Sequence, residues 1–144
     1  MLEIKTEIDI SASPEKVWNI ITDINSWQKW SPIINASQGE AAVGSKLNIT
    51  MMSKEEGKDG PNYSPVITAL TEPNYFHWRA HMLAEFLFTN EKIFKLEETS
   101  SGTRLTHIET FTGLLTPLFR GQMEKGVPPM LNMMNKALKD LAEK

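Results

Sequence analysis

Phe86–Thr112, FLFTNEKIFKLEETSSGTRLTHIETFT, alternates apolar and polar residues on both sides of a turn signal, Thr99-Ser100-Ser101-Gly102. Residues two apart share one face of a strand. Phe86, Phe88, Phe94 and Leu96 therefore lie together on the first strand, and Leu105 and Phe111 on the second. These apolar faces point inward. The same parity carries Asn90 and Lys92 inward on the first strand, and His107 and Glu109 on the second. A hairpin turning at Thr99 to Gly102 sets Leu96 opposite Thr103, Lys92 opposite His107 and Asn90 opposite Glu109. Four polar side chains then meet on an otherwise apolar inner face.

Outward from this hairpin, the chain reads as more of the same sheet. Glu3–Ile10 alternates, with Ile4, Thr6, Ile8 and Ile10 on one side. Ser13 is an N-cap, Pro14 suits the first helical position, and Glu15 suits the positive end of the helix dipole. Val17, Ile20, Ile21 and Ile24 follow at helical spacing, and Asp23–Trp30 reads as a break and a second short helix that Ser31-Pro32 stops. Trp18, Trp27 and Trp30 lie in this region and are expected to plug the end of the sheet. Ile33–Glu40, Ser45–Ser53, Asn62–Leu70 and Tyr75–Met82 read as strands, with turns at Glu55–Gly60 and Glu72-Pro73-Asn74.

Two adjacent prolines, Pro128 and Pro129, cannot sit mid-helix without lost hydrogen bonds and clashes. The long C-terminal helix is therefore expected to begin at about Pro128, with Leu115–Glu124 a separate short helix or loop that Gly113, Gly121 and Gly126 could let move as a lid. Met130, Met133, Met134, Ala137 and Leu141 mark the inward face of the long helix. The expected class is α+β: a curved antiparallel sheet of about six to seven strands wrapped around a long C-terminal helix, with two short helices after the first strand.

Composition narrows the chemistry. The chain has 144 residues and a net charge of −3, enough for one domain, 1–144, with a substantial core. The absence of cysteine excludes disulfides, Cys-ligated metal and a thiol nucleophile. Basic residues are scattered, so no nucleic-acid partner is expected. No apolar run is long enough to span a membrane, and the Met1–Lys5 start lacks signal-peptide character, so a cytoplasmic protein is expected. No Walker loop, dinucleotide fingerprint or nucleophile elbow is present. His77 and His81, four residues apart on one strand, would be roughly 13 Å apart, too far to share one ion, so no metal is expected.

Several stretches resemble the polyketide cyclase/dehydrase branch of the START/SRPBCC superfamily, the birch-pollen-allergen-like helix-grip proteins. They are Ile10–Trp18 with Thr22-Asp23, Trp27–Pro32, Val66–Pro73 leading to Trp78, Gly102–Gly113, and Met134–Lys139. The resemblance covers nearly the whole chain in order. It implies a helix-grip fold with a cavity between sheet and long helix that holds a small hydrophobic molecule, and no shared catalytic motif. Relatives often carry His where this chain has Lys92, a departure from the family's pattern at the residue on which any inherited ligand chemistry would turn.

The candidate ligand-binding set is Met51, Trp78, Phe88, Asn90, Lys92, Phe94, His107, Glu109, Phe111, Met130 and Met134, with no catalytic residue assigned and no cofactor. Two readings of Lys92, His107 and Glu109 stand. They form a structural network or are turned outward by a one-residue bulge, or they recognise a polar group of the ligand and carry acid–base chemistry. The expected function is binding, transport or sequestration of a lipid, polyketide or isoprenoid by a monomer or weak homodimer. The alternatives are a cyclase/dehydratase using His107 and Glu109, and a chaperone- or ribosome-associated interaction module.

Overall fold

The computed structural model describes residues 1–53, 55 and 57–144. Its elements run β1 (Leu2–Ile10), α1 (Pro14–Thr22), a 3-10 turn (Ile24–Ser26), α2 (Trp27–Trp30), β2 (Ile34–Gln38), β3 (Asn48–Met52), β4 (Asp59–Tyr63), β5 (Val66–Thr71), β6 (Tyr75–His81), β7 (Thr89–Thr99), β8 (Gly102–Thr112) and α3 (Thr116–Ala142). Five strands form one antiparallel sheet in the order β1-β8-β7-β6-β5, and β2-β3-β4 form a second. Backbone hydrogen bonds join the two sheets: Leu47 N–H donates to Pro65 O and Ile67 N–H to Ser45 O, at 2.8 and 3.0 Å. This is the α+β, helix-grip arrangement, with α3 packed on the sheet. The turn expected over Glu55–Gly60 includes Glu56, which lies outside the described residues; β4 begins at Asp59.

Local chemistry explains the first half of the chain. Ser13 caps α1, its Oγ accepting from Lys16 N–H at 3.2 Å, with Pro14 in the first turn. α2 then delivers Trp27 into the core. Its indole N–H donates to Ile21 O at 2.9 Å, and its ring lies 5.5 Å from that of Trp78 and 6.2 Å from that of Phe94.

Four expectations are corrected. The single strand over Asn62–Leu70 is two, β4 and β5, in different sheets, split at Ser64-Pro65, where proline has no N–H for a ladder. β7 begins at Thr89 rather than Phe86; residues 82–88 turn instead, with Leu87 N–H bonded to Ala84 O, and Phe86 is 67% exposed. The β7–β8 register is shifted by two residues. Thr99 pairs with Gly102, so Leu96 faces Leu105, Phe94 faces His107 and Lys92 faces Glu109. The turn is centred one residue later than assumed, on Ser100-Ser101, and an even shift leaves every side chain on its expected face.

The fourth correction concerns α3, which is one helix through Pro128 and Pro129. Tertiary packing holds it. Leu131 is buried with Leu2, Ile4 and Phe111 on the sheet, and Val127 and Met123 pack on the same cluster. The prolines still leave two ladder bonds unmade, those that residues 128 and 129 would donate to the carbonyls of Glu124 and Lys125. The buried face is Leu131, Met134, Asn135, Leu138 and Ala142, turned by about one residue from the expected stripe, and Met133 is 43% exposed.

Candidate ligand cavity

β1, β7, β8 and α3 each contribute one residue to a buried hydrogen-bond relay. Thr6 Oγ1 donates to His107 O at 3.0 Å, Asn135 Nδ2 donates to Thr6 Oγ1 at 2.8 Å, and His107 Nδ1 meets Asn135 Oδ1 at 2.8 Å. Because the amide nitrogen of Asn135 is spent on Thr6, its oxygen must accept, and the imidazole proton sits on Nδ1. Nε2 is left as an acceptor, and Lys92 Nζ donates to it at 2.7 Å. Lys92 Nζ also lies 3.2 Å from Glu109 Oε1. The aromatic faces of Trp78 and Phe94 stand 5.7 and 5.5 Å from the same nitrogen.

Burial sets the protonation states here. Desolvation lowers the Lys92 pKa from the usual lysine range, against the attraction of Glu109. Desolvation, then the charge of Lys92, hold His107 well below the ordinary imidazole value, against the hydrogen bond it donates to Asn135. Burial, then Glu109, push the Tyr63 phenol up, so it stays a neutral hydroxyl.

The neutral His107 makes a pH prediction. An unfolded imidazole titrates near 6.5, and below that the unfolded chain binds a proton the folded chain refuses. Its contribution is complete above this pH and is lost as pH falls, at up to about 1.4 kcal/mol per pH unit. Urea unfolding from pH 7 to 4.5 should show the wild type losing stability more steeply than His107→Gln, by up to one proton's slope. Parallel acid limbs would contradict the assignment.

Beside this relay is a cavity of about 50 Å³ between sheet and helix. Lys92, Glu109 and Tyr63 give it a polar side. Trp27, Ile33, Ile34 and Met51 close it from the strands and α2, and Val127, Met130, Leu131 and Met134 from α3. Of the candidate residues, Met51, Lys92, Glu109, Met130 and Met134 meet in this wall. His107, Phe94 and Trp78 lie behind it in the buried core. Phe88 and Phe111 stack on each other at 5.8 Å in the separate cluster with Leu2, Ile4 and Leu131. Asn90 is half-buried opposite Phe111 and donates to Thr110 O.

Sequence reasoning missed Asn135, Tyr63 and Trp27 as parts of this site. Asn135, one polar residue on the apolar stripe of a helix, was the available signal. His77 Nε2 is 2.9 Å from Glu91 Oε1 and its Nδ1 is 3.2 Å from the Tyr75 hydroxyl, while His81 is exposed. Among the described residues no group of three or more His, Asp or Glu could hold a metal ion. Nor is any helix among them long and apolar enough to cross a membrane.

Fold and site together define a helix-grip protein whose sheet and covering helix enclose a small apolar cavity with a buried ion pair in its wall. The family model for polyketide cyclase/dehydrase and lipid transport matches residues 1–144, and the chain belongs to that family. No curated protein matches the sequence. Among solved structures it is similar to protein MLL2253 from Mesorhizobium loti, at 20% identity and TM-score 0.71, covering 95% of this chain and 96% of that one. It is also similar to protein CV1439 from Chromobacterium violaceum, at 16% identity and TM-score 0.76, covering 99% and 98%. The di-domain ARO/CYC BexL from the BE-7585A biosynthetic pathway matches at 13% identity and TM-score 0.81; the match covers 99% of this chain and 50% of BexL.

Proposed function

We propose that the chain is a single ligand-binding unit that takes up a small hydrophobic molecule, of polyketide, isoprenoid or lipid type, beneath α3. The observation that carries this is the Lys92–Glu109 pair, buried in the wall of a cavity that is otherwise largely apolar. An ammonium has three donors. His107 and Glu109 engage two, and among the described residues none takes the third, which is open to a ligand oxygen.

The cavity of about 50 Å³ has room for a few waters at roughly 10–15 Å³ each, well under the roughly 300–1,000 Å³ of common ligand pockets. Uptake therefore requires the wall to move. The part of the wall made by Val127, Met130 and Leu131 flanks the two prolines, where α3 lacks ladder bonds, and methionine side chains repack readily.

The test is native mass spectrometry of gently purified protein, followed by thermal shift with the released compound. A discrete excess mass lost on denaturation is expected. Met130→Trp should fill the cavity and weaken binding of that compound at least about tenfold, while costing about 1–3 kcal/mol of stability. Unchanged affinity in a folded Met130→Trp protein would place the ligand elsewhere.

A cyclase or dehydratase reading draws support from Lys92 and Glu109 standing side by side: one can polarise a carbonyl while the other takes an adjacent proton. Both nitrogens of His107 are engaged, so in that reading His107 positions Lys92 and Glu109 is the base. Turnover of a polyketide-like substrate that Glu109→Gln abolishes would favour it. The interaction-module reading rests on Leu83, Phe86, Leu114 and Leu118, all exposed, with Leu114 N–H bonded to Phe86 O. The same mass spectra would show a co-purified protein.

A further inference from the structure

The buried amine of Lys92 has a set of neighbours that a plain carbonyl-binding donor does not need. The residue is 4% exposed and lines the cavity, and its nitrogen is held between one neutral acceptor, His107 Nε2, and one carboxylate, Glu109. The relay through Asn135 and Thr6 fixes His107 as an acceptor, so it cannot offer Lys92 a proton. Trp78 and Phe94 supply the rest of the shell, and these rings favour a cation at that point.

We infer that Lys92 is a nucleophile that forms an imine with an aldehyde or ketone group of the hydrophobic ligand. The inference rests on the proposed ligand site and adds a covalent step to it. Glu109 takes one proton from the Lys92 ammonium, leaving the free amine. The amine nitrogen bonds to the carbonyl carbon, and the carbonyl π pair goes to oxygen, which takes a proton from nitrogen to give a carbinolamine. Glu109 returns its proton to that hydroxyl, the C–O bond breaks, and water leaves. The sum is ammonium plus carbonyl giving protonated imine plus water.

The product fits the shell. A protonated imine of lysine has one N–H, and His107 Nε2 is positioned to accept it. Its charge keeps the Glu109 carboxylate and the faces of Trp78 and Phe94. The apolar wall from α3 limits the water that would reverse the reaction. Burial that disfavours the ammonium acts in the same direction, since the free amine is the reacting form.

The experiment is reductive trapping of the intact protein with propanal and sodium cyanoborohydride at pH 6.5, read by peptide mapping. Exposed lysines such as Lys46 and Lys95 are the internal reference. Lys92 is expected to gain one propyl group at least about tenfold faster than either, since burial lowers its pKa and the free amine is the reacting form. Glu109→Gln should slow Lys92 labelling without changing Lys46 or Lys95. A Lys92 peptide that stays unmodified, or is labelled no faster than the exposed lysines, overturns the inference. If such a protein still carries a dissociable hydrophobic ligand in native spectra, imine formation fails and the binding reading stands. If it carries none, and no ligand shifts its melting, both fail.

Discussion

Glu109→Leu is expected to destabilise the protein by about 3–5 kcal/mol, because it strips the counter-ion from a buried lysine. Among the described residues Lys92 keeps the neutral Nε2 of His107 and the two ring faces, and it must either stay charged without its carboxylate or release its proton. Typical domains have about 5–15 kcal/mol in total, so this one change consumes much of the margin. The double variant Lys92→Met/Glu109→Leu should recover most of the loss, since an apolar pair of similar volume avoids both desolvation penalties. Recovery stays incomplete because His107 Nε2 loses its donor. Urea unfolding of the wild type, both single variants and the double variant measures the coupling. A Glu109→Leu cost below about 1 kcal/mol would mean that the pair is effectively solvated, at odds with its position in the wall.

Trp27→Ala should cost about 3–5 kcal/mol as well, through a different cause. Trp27 is fully buried, and its ring touches those of Trp30, Phe76, Trp78 and Phe94. Truncation leaves a hollow among these rings and orphans the Ile21 carbonyl that the indole N–H satisfies. Trp27 also lines the cavity, so the hollow joins it. An apolar hollow of this kind is refilled by a benzene-sized guest. Benzene should therefore raise the melting temperature of Trp27→Ala and leave the wild type unchanged. Where alanine prevents folding, Trp27→Leu gives a smaller hollow and the same sign. Loss of stability without rescue by benzene would indicate that the core collapses into the space.

Much of this fold was legible locally. Alternation placed β1, β7 and β8, and Ser13-Pro14-Glu15 marked the start of α1, because period-two burial and helix capping act between near neighbours in sequence. Strand parity sent Lys92, His107 and Glu109 inward correctly, since a strand has only two faces. Two local readings failed at prolines, in opposite directions. Pro65 ended a strand that the apolar pattern carried through, and Pro128-Pro129 failed to end a helix. In the second case the energy that decides comes from Leu131 and Val127 packing on Phe111 and on Leu2 and Ile4, the last two more than a hundred positions away.

The site divides the same way. Residue types and faces follow from the sequence itself: a lysine, a histidine and a glutamate on the inner face of neighbouring strands, beneath a methionine-bearing helix. The partners were decided in three dimensions. A two-residue shift of the hairpin exchanged His107 for Glu109 opposite Lys92 while preserving every face. The proton on His107 depends on Asn135 from α3 and Thr6 from β1, which only chain closure brings within hydrogen-bond distance. The cavity volume depends on how far α3 settles onto the sheet, a sum of small packing terms over residues distant in sequence.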